Sequence, residues 1–166
     1  PRGGVYQPVV ITGNLAYISG HGPYQSDETY ITGRLGDDLD VDAGYAAAKQ
    51  TGLALLATMK EHLGSLDRIK RVVKILGMVN CTPDFGPHPL VINGCSELFR
   101  DVFGEAAGVG ARSAVGMMLP NGIAVEIEVI RYTVRSGDTL SSIARTAGTS
   151  VAQLMKLNPD VDARFL

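Results

Sequence analysis

The alternation of apolar and polar positions is sharpest between residues 111 and 129. Ser113, Val115, Met117 and Leu119 share one side of a period of two, and Arg112, Ala114, Gly116 and Met118 share the other. Beyond Pro120-Asn121-Gly122, Val125, Ile127 and Val129 oppose Glu126 and Glu128. Two such runs around a turn sequence predict a β-hairpin. Upstream, residues 8–12 and 15–20 predict two strands joined at Gly13-Asn14. Residues 21–40 are rich in Gly, Pro and Asp and predict a loop with one short strand near Tyr30-Ile31-Thr32. Asp40 is placed to cap a helix, and Ala46, Ala47, Leu53, Leu56, Met59 and Leu63 then recur at helical spacing until Gly64. Residues 68–82, dense in Val and Ile, predict a long strand. Ile92, Cys95, Leu98, Phe99, Val102 and Phe103 mark a second amphipathic helix over 90–103, stopped by Gly104 before a Gly/Ala-rich loop.

The order β-β-(β)-α-β-α-β-β predicts an α+β sandwich, two helices covering one face of a mostly antiparallel sheet. The second face is then bare. Ala114, Gly116 and Met118, small or apolar, are expected there, which predicts burial of that face against other subunits.

Composition narrows the function classes. Of 166 residues, 45% are hydrophobic and 19% charged, which suits one packed domain and a small appendage. Fifteen basic residues against seventeen acidic give a net charge of −2, unlike the basic footprint of a nucleic-acid binder. No apolar run approaches the roughly 20 residues of a membrane span. Cys81 and Cys95 form neither a disulfide framework nor a metal-ligand spacing, so no metal or cofactor is expected. The chain opens on Pro1, so a missing leader is uninformative.

The chemistry concentrates where the alternation does. Arg112, Glu126 and Glu128 lie on strands whose other face is apolar. They form either a solvated face with a cross-strand ion pair or a site. Among the remaining candidates, Cys81 is either an exposed thiol near such a site or a small buried residue, and Cys95 is core. His21 either lines a pocket or lies on the surface. His62 is expected on a helix surface and His88 in a loop. Residues 104–110 lack the Lys-Ser/Thr of a phosphate loop and precede a strand.

Several motifs, in this order and spacing, resemble the Rid (YjgF, reactive intermediate deaminase) family over residues 4–130. They are Gly-Asn-Leu-Ala-Tyr-Ile-Ser-Gly at 13–20, Ala-Arg-Ser at 111–113, and Leu-Pro followed by Val-Glu-Ile-Glu at 119–128. The resemblance implies a chorismate-mutase-like fold, a homotrimer, and hydrolysis of enamines and imines such as 2-aminoacrylate at subunit interfaces. It gives Arg112 the substrate carboxylate, Glu126 the attacking water, and Tyr6, Ser19 and Gly20 places in the active site. Asn93 falls near an interface asparagine. The physical logic is that an Arg fork clamps a planar carboxylate, which places the imine carbon for water activated by a carboxylate.

Two departures stand out. Many relatives have nine positions from the Arg to the Pro of Leu-Pro, and here there are eight. One missing strand residue exchanges faces downstream, which leaves Glu128 as a substitute for Glu126. A cysteine often found two residues after the Arg is Ala114 here. The alternatives to a deaminase are a non-catalytic trimer that binds a small metabolite and an endoribonuclease, the latter opposed by the charge. The compartment expected is cytoplasmic.

The tail is a separate object. Residues 132–144 and 149–159 resemble the LysM module, which binds N-acetylglucosamine polymers such as peptidoglycan and chitin and raises the cell envelope as another compartment. Thr139 and Ser150 are expected helix caps, and Gly137, Asp138, Thr139, Asn158 and Pro159 the glycan-binding positions. The module has β-α-α-β order and its second strand has no counterpart here, so it is expected to be incomplete and weakly binding. The domain boundary is expected at 131/132. Residues 131–166 carry five basic and three acidic residues, whereas 1–130 carry ten and fourteen.

Overall fold

The computed structural model describes residues 4–133, 139–146 and 149–157. The chain divides into two compact units, Pro1–Thr133 and Val134–Leu166. In the first, β1 (Val9–Thr12) and β2 (Leu15–His21) turn at Gly13, whose φ of +54° suits glycine. Helix α1 (Val41–Leu63) starts where the Asp40 carboxylate accepts from Ala43 N at 2.8 Å and ends at Gly64, φ +80°. Strand β3 (Ile69–Val79), helix α2 (His88–Phe103), a short helix α3 (Glu105–Gly108), β4 (Ala111–Gly116) and β5 (Val125–Thr133) follow.

The sheet order is β1-β2-β5-β3-β4, with only β3–β4 parallel. The α+β class with a mostly antiparallel sheet is as expected from the sequence. The hairpin is not. β4 and β5 both pair with β3, from opposite sides, so β3 separates them. The crossover β3–α2–β4 brings β4 in parallel to β3. Residues 117–124 then pass the end of β3 and cover the roughly 10 Å between its two neighbours. A period of two identifies strands but says nothing about which strand lies between them. The short strand expected near residue 31 is reduced to isolated bridges, Tyr24 with Tyr30 and Thr32 with Ile123, and the Gly/Ala loop contains α3.

Helices α1 and α2 cover one face. Ile18, Val72, Ile75, Val79, Ile127 and Val129 from the sheet meet Leu55, Met59, Val91, Ile92, Cys95 and Phe99 from the helices. Small residues bring the helices close. A Cβ at Gly94 would run into the Tyr45 carbonyl of α1.

Register through β3 corrects the face assignment. Arg112 aligns with Ile75 and Val129 on the helix-covered face. Ala114 aligns with Gly77 there and packs on the core, and Gly116 follows. The uncovered face instead carries Val115, Leu76, Met78, Ile130 and Tyr17, together with Ser113, Lys74, Glu126 and Glu128. Arg112 and the two carboxylates therefore stand on opposite faces of the sheet, and no cross-strand ion pair joins them. Among the described residues, no helix is long and apolar enough to cross a membrane.

In the second unit, α4 (Leu140–Thr146) and α5 (Val151–Leu157) each begin with a capping box. Thr139 Oγ1 accepts from Ser142 N at 3.1 Å while Ser142 Oγ accepts from Thr139 N at 2.9 Å. Ser150 Oγ accepts from Gln153 N at 3.1 Å, and Gln153 Oε1 accepts from Ser150 N at 3.2 Å. Ile143 and Ala144 are buried. Gly137, Asp138, Asn158 and Pro159 lie outside the described residues.

Candidate active site

The expected site residues fall into two groups. The first centres on Arg112. Its Nη1 donates to Asn93 Oδ1 at 2.8 Å and to Ser96 Oγ at 3.0 Å, both on α2. These residues lie one turn apart because i and i+3 share a helix face. The two bonds fix the guanidinium plane, and Nη2 and Nε have no partner among the described residues. The group opens on a hollow of about 390 Å³ between α2 and β4, also lined by Glu97, Arg100 and Glu105. Ser96, Glu97 and Arg100 escaped sequence reasoning. Their signal was their placement at i+3, i+4 and i+7 from Asn93, on the polar side of α2.

The second group gathers around Gly20. A Cβ at this position would overlap the carboxylate of Glu126, so glycine is what permits Glu126 to lie against β2. Burial, then the neighbouring charge of Glu128, holds the Glu126 carboxyl above the ordinary carboxylate range. A bulge in the β2–β5 pairing between Ile18 and His21 lets this contact form. Ser19 Oγ donates to the Gln7 carbonyl at 2.7 Å, and Ser19 N donates to Pro8 O at 3.0 Å. Its hydroxyl thus anchors the segment that carries Tyr6.

Tyr6, Gly20 and His21 line a second hollow of about 360 Å³ with Tyr24, Tyr30 and Thr58. A carbonyl can only accept, so His21 Nδ1–H donates to Ser19 O at 2.7 Å and Nε2 accepts from Thr58 Oγ1 at 2.8 Å. Burial lowers its pKa, which keeps the imidazole neutral. The open question over His21 is answered: it lines a pocket.

A family model described as "YjgF/chorismate_mutase-like, putative endoribonuclease" matches residues 2–125. The chain belongs to the YjgF family. A LysM domain matches residues 132–166. Protein TCP17 of Trypanosoma cruzi is 42% identical over 126 residues, 75% of this chain and 79% of that protein. The solved structure of Atu1372 from Agrobacterium tumefaciens, whose function is given as unknown, is 43% identical with a TM-score of 0.74, covering 77% and 82% of the two chains. RidA from an Antarctic Psychrobacter is 26% identical with a TM-score of 0.52, covering 80% and 91%. A YjgF-family chain with this topology keeps Arg112 on one side of its sheet and Glu126 on the other. Among the described residues there is no cluster of three or more His, Cys, Asp or Glu that could hold a metal ion.

Proposed function

We propose that this protein hydrolyses enamines and imines of small carboxylates, of the 2-aminoacrylate type, at sites shared between copies in a homotrimer. The observation that carries the reading is the division of the site residues within one chain. Arg112 with Asn93 and Ser96 offers a carboxylate clamp with one free donor edge, Nη2 and Nε. Glu126 beside Gly20 offers a base of raised pKa on the opposite sheet face. A second copy docked on the uncovered face brings one chain's clamp to its partner's base. That face supplies the apolar surface for docking, with Val115 and Tyr17 exposed.

The chemistry follows from the groups. Nη2 and Nε of Arg112 hold the substrate carboxylate bidentately and fix the adjacent imine carbon. Glu126 takes a proton from water as the water oxygen bonds to that carbon and the C=N pair moves to nitrogen. It then gives the proton to the nitrogen, and as the tetrahedral adduct collapses its hydroxyl proton passes through Glu126 to the departing amine, releasing ammonia and the 2-oxo acid. Water is the only co-reactant. Ammonia release from 2-aminoacrylate generated in situ tests this, and a rate equal to the spontaneous one would reject it.

The endoribonuclease wording belongs to the family description and to some relatives. The excess of acidic residues over 1–130 disfavours that activity here. For the second unit we propose binding of N-acetylglucosamine polymers, which would place the trimer at peptidoglycan or chitin.

A further inference from the structure

A second cluster of chemistry-bearing side chains, Cys81 and His88, lies outside that machinery. Cys81 follows β3 and is held by backbone bonds on both sides, Leu35 N to Asn80 O at 2.8 Å and Thr82 N to Leu35 O at 2.9 Å. Arg34 Nε donates to its carbonyl at 3.2 Å. His88 opens α2, and its ring stands edge-on to Phe85 with centroids 5.5 Å apart. The Cys81 Sγ lies 3.4 Å from His88 Nε2. Both side chains are half-buried, and the exposed Gly116 on β4 lies against the pair. A Cβ at Gly116 would come within 2.8 Å of Sγ and 2.9 Å of Nε2, so the glycine leaves a notch beside both atoms.

Burial pushes the Cys81 thiol up, against the pull of Arg34. The group therefore rests as a thiol at neutral pH, and in the His88 tautomer protonated at Nδ1 its S–H donates to Nε2. Such a thiol is slow on its own, because the thiolate is the nucleophile. A base within reach of the proton changes that. Cys95, the other cysteine, is the contrast: fully buried, its thiol is pushed up to about 12, and no base among the described residues is hydrogen-bonded to it.

We propose that Cys81 and His88 form a second reactive centre, a base-assisted thiol that adds to small α,β-unsaturated carbonyl compounds through the notch at Gly116. His88 Nε2 takes the Sγ proton as the S–C bond forms to the β-carbon. The C=C pair moves onto the carbonyl as an enolate, and His88 returns the proton to the α-carbon. The product is a saturated thioether on Cys81, with no oxidant or reductant consumed.

The test uses the full native chain, acrylamide as the probe at neutral pH, and peptide mass mapping over time. Cys81 is expected to be modified while Cys95 stays free, which also monitors the fold within each sample. His88→Asn removes the base and should slow Cys81 on the order of a hundredfold. Gly116→Ala fills the notch, displaces the pair and should slow it as well. Modification of Cys95 as fast as Cys81 in the native chain overturns the proposal. So does a wild-type rate at Cys81 in either variant with Cys95 still protected.

Discussion

At the residue scale, function depends on which bonds each side chain has left to give. Arg112 uses one nitrogen on Asn93 and Ser96 and keeps a planar edge for a ligand. Lysine offers a point charge and no fork. Arg112→Lys is therefore expected to lower kcat/KM about a hundredfold, the equivalent of about 2–3 kcal/mol for a charged bidentate contact. Steady-state ammonia release checks it. Glu126 gives a pH prediction. Its raised pKa places the acid limb of kcat/KM above the ordinary carboxylate range, and Glu128→Gln, by removing the like charge, should move that limb to lower pH. The sign for stability is the reverse of the usual carboxylate case. The native state holds this proton more tightly than the unfolded chain, so folding loses stability as pH rises through the window between the two pKa values. Glu126→Gln is thus expected to abolish activity and raise the neutral-pH melting temperature, measured by calorimetry.

Arg131 is the residue whose role the sequence disguised least and reasoning still missed. It continues the apolar face of Val125, Ile127 and Val129 and is fully buried. Its guanidinium lies 4.2 Å from the Phe103 centroid and 5.3 Å from Phe99, donates to the Met59 sulfur, and leaves Nε and Nη2 unpaired. Burial pulls its pKa down to about 9. Cation–π contact offsets part of the desolvation cost. Replacing a buried charge with an apolar residue of similar size is often neutral or stabilising. Arg131→Met is expected not to lower the denaturant midpoint.

At the element scale, periodicity carried most of the fold. The α1 helix, its Asp40 cap, its Gly64 stop and the β1–β2 turn were all legible, because each is set by residues adjacent in the chain. Strand neighbours were not, since pairing depends on contacts distant in sequence. The same limit misplaced Ala114 and Gly116, whose face is set by alignment with Gly77 and Val79 of β3. The α1–α2 approach is likewise invisible to a helical-wheel reading, yet it is steep. Gly94→Ala sets a methyl group against the Tyr45 carbonyl and is expected to cost at least about 1–3 kcal/mol in chemical denaturation.

At the scale of the whole molecule, two units share one chain, and their proposed activities separate. The full chain is expected to be retained at most weakly on insoluble peptidoglycan, and removal of residues 134–166 to abolish that retention and leave ammonia release intact. The site motifs were readable from residues 13–20 and 111–128, but their division between two faces was not, because a linear motif carries no information about faces beyond its own strand. That division is the central claim, and mixing tests it most directly. Arg112→Lys and Glu126→Gln, each nearly inactive alone, are unfolded together and refolded as mixed trimers. If each site takes its arginine from one copy and its carboxylate from the next, about a quarter of the sites at equal mixing pair two intact halves, and that fraction of wild-type ammonia release should return. No recovery, in mixed trimers verified by mass, would place both residues' chemistry within one chain and contradict the account.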